Sequence, residues 1–128
     1  MTTQKLQALI LELGGPPRLL HVLEQFYERM SQDVMIGFFF EGKDLQHIAS
    51  KQQEFILKAA GLSPRYSGKN PATAHLTLPP ILDGHFDRRI QLLKELLTDE
   101  KVSSASIAAW IEFESAFRNV VVAAPARP

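Results

Sequence analysis

Apolar side chains recur at spacings of three and four in five separate stretches of this chain, a periodicity that only helices turn into one continuous face. Residues 3–13 carry Leu6, Leu9, Ile10 and Leu13, and residues 16–31 carry Leu19, Leu20, Leu23, Phe26, Tyr27 and Met30. Residues 44–61 carry Ile48, Phe55, Ile56 and Ala59, residues 84–98 carry Phe86, Ile90, Leu93 and Leu97, and residues 103–121 carry Ile107, Trp110, Ile111, Phe117 and Val121. A sixth, short helix is expected over 72–78, stopped by Pro79-Pro80. No alternating strand pattern and no internal repeat is present. The fold class is therefore all-α, with four main helices and two short ones.

The breaks between helices have their own chemistry. Gly14-Gly15-Pro16-Pro17 ends the first helix and suits the first turn of the second. Asp44 is placed to cap the third helix, Gly61 to end it, and Ser103 or Ser104 to cap the last. A length of 128 residues fits one domain, expected over residues 1–122, with 123–128 as a disordered tail. Fourteen basic and fourteen acidic residues cancel, and no run of like charge offers a footprint for nucleic acid or an anionic membrane. There is no cysteine, which excludes disulfides, thiolate nucleophiles, zinc fingers and cysteine-ligated iron–sulfur clusters. The N-terminus lacks a signal-peptide pattern and no apolar run approaches roughly 18 residues, so the expected location is the cytoplasm.

Several residues do not fit a plain helical core. Tyr27 puts a hydroxyl on an apolar face, which suits either a boundary tyrosine with its oxygen in water or a polar pocket. Gln52 interrupts the stripe of the third helix, and a buried amide costs a few kcal/mol unless partnered. Three successive phenylalanines, Phe38, Phe39 and Phe40, follow Val34, Met35 and Ile36 in a connecting segment, too apolar to lie in water without packing on the core or on a flat ligand. His75 stands among Ala72, Ala74, Leu76 and Leu78, where it is either a satisfied core histidine or a metal ligand. In the fourth main stretch of the apolar pattern, over 84–98, Arg88 and Lys94 face outward and Arg89 adjoins the inward stripe.

Common catalytic constellations are missing. There is no Glu-x-x-His pair for a di-iron bundle, no zinc-protease motif, no glycine-rich phosphate loop and no Gly-x-Ser-x-Gly elbow. His85 and Asp87 stand two positions apart, on different sides of a helix.

The ordered series Gly14-Gly15, Phe26-Tyr27-Glu28-Arg29, Phe39-Phe40, Lys51-Gln52-Gln53-Glu54-Phe55, Tyr66-Ser67-Gly68, Ala74-His75 and His85-Phe86 resembles the truncated haemoglobin family, closest to its first group, over about residues 6–120. The resemblance implies a two-over-two helical sandwich around haem b. It implies His75 as the axial ligand of iron, Tyr27 and Gln52 as the hydrogen-bonding pair on the opposite side, and Phe40 packed on the haem ring. Ile48 takes a gatekeeping place one turn before Gln52. Phe26, Phe39, Phe55, Ile56, Tyr66, Leu78, Phe86 and Ile90 are candidates to line the slot, Lys51 to reach a propionate, and His47 to swing in as a second axial ligand. Two departures stand out: Ala60-Gly61 replaces the family's double glycine, leaving that loop's conformation open, and Arg89 occupies a place often held by an apolar residue near the haem, bringing polarity expected on the proximal side. The implied function is reversible binding of dioxygen, nitric oxide and carbon monoxide, with nitric oxide dioxygenation supported by an external reductase, or a weak peroxidase activity. The alternative is a haem-based sensor signalling to a separate partner protein.

Overall fold

The computed structural model describes residues 2–63 and 79–122. Helix α1 spans Thr2–Leu13 and buries Leu6, Leu9 and Ile10. Helix α2, Pro16–Gln32, opens on the two prolines, whose absent N–H groups would have no partner in a first turn anyway. It buries Leu19, Val22, Leu23, Phe26, Tyr27 and Met30 on one side. A single 3-10 turn, Gly37–Phe40, leads to α3, Leu45–Ala59. Helix α4 is Asp83–Asp99, α5 is Ser104–Ser115 and α6 is the short Arg118–Val121.

Helix α2 lies along α3, and α4 along α5; the two pairs meet where α2 touches α4. This is the two-over-two sandwich, with α1 closing one side by packing on α5. The buried side chains of all five longer helices join one cluster in which Phe26, Leu19, Leu23, Met30, Leu93, Leu97 and Trp110 are wholly enclosed. Each such side chain contributes roughly 1.5–3 kcal/mol of burial. No helix among the described residues is long and apolar enough to cross a membrane.

The caps form as expected at Asp44, which accepts from the His47 N–H at 3.1 Å, and at Ser103, which accepts from Ser106 N–H at 3.2 Å. The end of α3 settles the Ala60-Gly61 departure. Gly61 takes the positive φ of 72° that the closing turn needs, with the Leu62 N–H reaching back to the Leu57 carbonyl at 2.9 Å. Ala60 keeps a right-handed conformation and its methyl is fully buried, so a second glycine is unnecessary.

Two expectations need correction. The last helix, expected over 103–121, is broken at Ala116–Phe117. Phe117 there closes an aromatic trio with Phe55 and Phe113, at centroid distances of 5.4 and 5.3 Å, and Arg118 ion-pairs with Asp83 and Asp87 while lying 4.4 Å over the Phe86 ring. Those tertiary contacts replace one turn of helix. The apolar segment 34–40 is not wholly packed away: Ile36 and Phe39 are buried, but Val34 is fully exposed and Met35 and Phe38 largely so. Alternate residues of a tight turn cannot all face one core. The expected tail, 123–128, lies outside the described residues.

Glu12, on the exposed side of α1, receives hydrogen bonds at 2.7 Å from the Ser103 N–H, the Ser103 hydroxyl and the Ser106 hydroxyl. The Ser103 backbone bond first, and then the two hydroxyls, hold its carboxyl below the ordinary 4.5. A depressed folded value means the stabilisation is present above pH 4.5 and is lost as pH falls through the folded value. Glu12→Gln is therefore expected to lower stability at pH 7, with the gap to the parent chain narrowing as pH falls below 4.5. Urea unfolding at a series of pH values reads this, and a gap that stays constant as pH falls would refute it.

Candidate functional site

Consecutive positions on α2 place Phe26 and Tyr27 side by side against the core. Tyr27 is only 5% exposed, its ring tilted against Phe26 and edge-on to Phe40, both at 5.8 Å between centroids. The 3-10 turn delivers Phe40 to this spot. The turn can come so close to the end of α2 because position 37 has no side chain: a Cβ there would lie 2.6 Å from the Ser31 carbonyl oxygen. Asp33 anchors the same turn, accepting from the Met35 N–H at 3.0 Å, from the Ile36 N–H at 3.2 Å and from Arg88 at 2.7 Å. Hydrogen bonding from Arg88 in the first place keeps its carboxyl below the usual range. Arg88, expected to face outward, thus reaches across to tie α4 to this turn. Gly37→Ala is expected to cost about 1–3 kcal/mol by overpacking and to displace Phe40. Thermal unfolding checks the cost, and an unchanged midpoint would show that the turn yields freely.

Helix α3 supplies a second wall. Ile48, Gln52 and Phe55 are half-buried, Ile56 is buried, and Phe40, Ile48 and Phe55 pack against the cluster that contains Tyr27. The Gln52 amide has no hydrogen-bond partner among the described residues. Phe86 and Ile90 of α4 are buried, as is Phe39. Lys51, expected near a propionate, forms an ion pair with Glu54 at 3.3 Å, and the His47 side chain is exposed. His85 is more than helix-start surface: its Nδ1 accepts the Leu82 N–H at 3.0 Å, and its ring meets Phe39 edge-on at 5.1 Å. Tyr66, His75 and Leu78 lie outside the described residues.

Arg89, whose place was read as bringing polarity near the haem, has its described contacts on α2 and α5. It lies against Phe26 and Tyr27, its guanidinium carbon 4.9 and 5.7 Å from their ring centroids. Its Nε and a terminal nitrogen donate to Glu114 at 3.0 and 3.3 Å, and Trp110 Nε1 donates to the same carboxylate at 3.3 Å. Glu114 is 6% exposed and the Arg89 side chain 21%, so the carboxylate is buried and its guanidinium partner lies at the edge of the core. No sequence pattern announced it, because Glu114 lies on α5 and reads as an ordinary surface acid. Burial alone would lower the Arg89 pKa, but the Glu114 carboxylate, by its charge and its hydrogen bonds, more than reverses that and keeps it raised. Burial raises the Tyr27 phenol, with Arg89 pulling it partly back. The phenol is therefore neutral and keeps its proton at physiological pH.

A buried neutral phenol, a half-buried amide with no partner among the described residues, and the half-buried apolar side chains of Phe40, Ile48 and Phe55 are the lining that a flat apolar group with a small polar ligand would use. On the described side, the residues fit such a group.

A family model described as bacterial-like globin matches residues 9–122. The chain is 32% identical over 100 residues to a group 1 truncated haemoglobin of Synechocystis sp., covering 76% of this chain and 81% of the relative. It is 31% identical over 102 residues to a group 1 truncated haemoglobin of Chlamydomonas moewusii; that match takes in 79% of this chain but only 60% of the relative's length. Among solved structures, the truncated haemoglobin of Tetrahymena pyriformis in its Fe(III) form superposes with a TM-score of 0.80 at 25% identity, over 91% of this chain and 98% of that one. The 2/2 haemoglobin of Synechococcus sp. PCC 7002, in the cyanomet state with covalently attached haem, gives 0.76 at 27% identity, over 89% and 97%.

Proposed function

Because this chain belongs to the bacterial-like globins, as a truncated haemoglobin of group 1, we propose that it binds haem b through residues 1–122 and reversibly takes up dioxygen, nitric oxide and carbon monoxide. Haem, when bound, would supply an iron centre for small diatomic ligands. His75 would hold it, Phe40, Ile48 and Phe55 would exclude water from the pocket, and Tyr27 and Gln52 would donate hydrogen bonds to the ligand. In a water-excluded slot these donors favour ligands that accumulate negative charge. The observation that carries the reading is the pairing of a buried phenol at Tyr27 with a Gln52 amide that has no hydrogen-bond partner among the described residues, on two helices packed together.

Reconstitution with ferric protoporphyrin IX is expected to give a strong Soret band, and His75→Ala to change it; an unaltered spectrum in that variant would remove His75 as the ligand. Tyr27→Phe combined with Gln52→Leu is expected to raise the dioxygen off-rate about ten- to hundredfold, the loss of two hydrogen bonds of about 0.5–1.5 kcal/mol each. Stopped-flow displacement by carbon monoxide measures it, and an unchanged rate would refute the distal assignment.

The reaction we assign is conversion of nitric oxide and dioxygen to nitrate, with electrons returned by a separate reductase. Nitrate formation on adding nitric oxide to the reduced protein in the presence of dioxygen tests it.

A further inference from the structure

The turn that carries Phe40 is held by polar ties more than by burial. Between Asp33 and Phe40 only Ile36 and Phe39 bury an apolar side chain, while Val34, Met35 and Phe38 face outward. A core fixes a segment only through what it encloses. The Asp33 carboxylate supplies the rest, from both of its oxygens. Oδ2 accepts the Met35 and Ile36 N–H groups at 3.0 and 3.2 Å, and Oδ1 accepts Nε and Nη2 of Arg88 at 3.0 and 2.7 Å. A carboxylate offers about four acceptor positions, and all are used here. The Asp33 side chain is only 5% exposed, so loss of Arg88 would strip one oxygen of its donors where water reaches poorly.

A second tie lies one turn of α4 away. His85, three positions before Arg88 on the same face, meets Phe38 and Phe39 edge-on at 5.7 and 5.1 Å between centroids, its ring oriented by the Leu82 N–H on Nδ1. Helix α4 thus grips the turn twice, and the turn ends on Phe40, whose ring stands edge-on to Tyr27. Of the two rings beside the phenol, Phe26 belongs to the same helix and moves with it, whereas Phe40 is delivered by the turn.

We propose that Arg88 is a positioning residue for ligand retention: by holding Asp33 to α4 it fixes the turn that sets Phe40 against Tyr27, and so limits how far the phenol can turn away from a bound ligand. The inference rests on the haem-binding reading above and adds a control point outside the slot.

The test is the haem-loaded full chain carrying Arg88→Met, which keeps an apolar stem and removes the donors, in the parent and in the Phe40→Leu backgrounds. Because the His85 contact remains, this variant is expected to loosen the turn and leave the chain folded. In the parent background, amide exchange at Met35 and Ile36 is expected to speed up about tenfold as the turn opens. The nuclear Overhauser contact between the Phe40 and Tyr27 rings is expected to weaken, and the dioxygen off-rate to rise about fivefold, the order of one hydrogen bond to the ligand. In the Phe40→Leu background the same replacement is expected to change the off-rate by less than about 1.5-fold, because the ring it positions is gone. An equal rise in both backgrounds, or an unchanged ring contact and off-rate in Arg88→Met, would reduce the pair to a structural tie and overturn the proposal. Asp33→Asn still accepts the turn's N–H groups but offers Arg88 no charge, and is expected to raise the off-rate by about twofold to threefold; an unchanged rate there overturns the proposal as well, even if Arg88→Met does not fold. Failure of the parent chain to give a Soret band would instead sink the haem reading, while amide exchange and the ring contact still decide the place of Arg88 in the turn.

Discussion

Arg89→Met, made with Glu114 left in place, is expected to destabilise the fold by about 3–5 kcal/mol, lowering Tm by roughly 10–20 °C. The loss comes less from the missing attraction than from what remains. Glu114, 6% exposed, would keep only the Trp110 indole as a donor, so its carboxylate would be buried and nearly bare. The double replacement Arg89→Met with Glu114→Leu is expected to lie within about 1 kcal/mol of the parent chain, since apolar side chains of similar volume substitute well for a buried pair. Urea unfolding of the three proteins at pH 7 and pH 5 checks the ordering. A single variant as stable as the parent would mean that Glu114 finds water that its burial denies it.

Phe26→Ala is expected to cost about 3–5 kcal/mol, the usual loss for truncating a wholly enclosed aromatic ring. This ring has two neighbours that few core residues share. It supports one side of Tyr27 at 5.8 Å, and the Arg89 guanidinium lies over it at 4.9 Å. Removing it opens a cavity beside the phenol and takes away a cation–π contact worth about 0.5–2 kcal/mol. Beyond unfolding at lower urea, the variant is therefore expected to release dioxygen faster. Phe26→Leu should cost less than about 1.5 kcal/mol, because it comes closer to conserving volume. If the alanine and leucine variants unfolded together, the cavity would be filling by collapse of α2 on α4.

Much of this protein is legible along the chain because helical order is local. The spacing of Leu6, Leu9 and Ile10, or of Phe86, Ile90, Leu93 and Leu97, selects a buried face whatever the helix packs against, and Asp44 and Ser103 cap their helices with atoms only three residues away. The same locality put Tyr27 and Gln52 on apolar stripes and marked them as polar groups needing a purpose. Resemblance in the order of motifs did the rest, and the family match over residues 9–122 agrees with it.

What only the tertiary structure decided depends on the angle and offset at which helices meet. Arg89 and Glu114 sit on separate helices, and no sequence spacing pairs them; only the crossing of α4, α5 and α2 brings them together beside Tyr27. Phe117 broke its helix to join Phe55 and Phe113 by the same kind of contact. Periodicity therefore determined, from sequence alone, which faces are buried and that a phenol and an amide interrupt them. Packing determined that the phenol has a guanidinium behind it, because that pairing rests on three-dimensional proximity that no local spacing encodes.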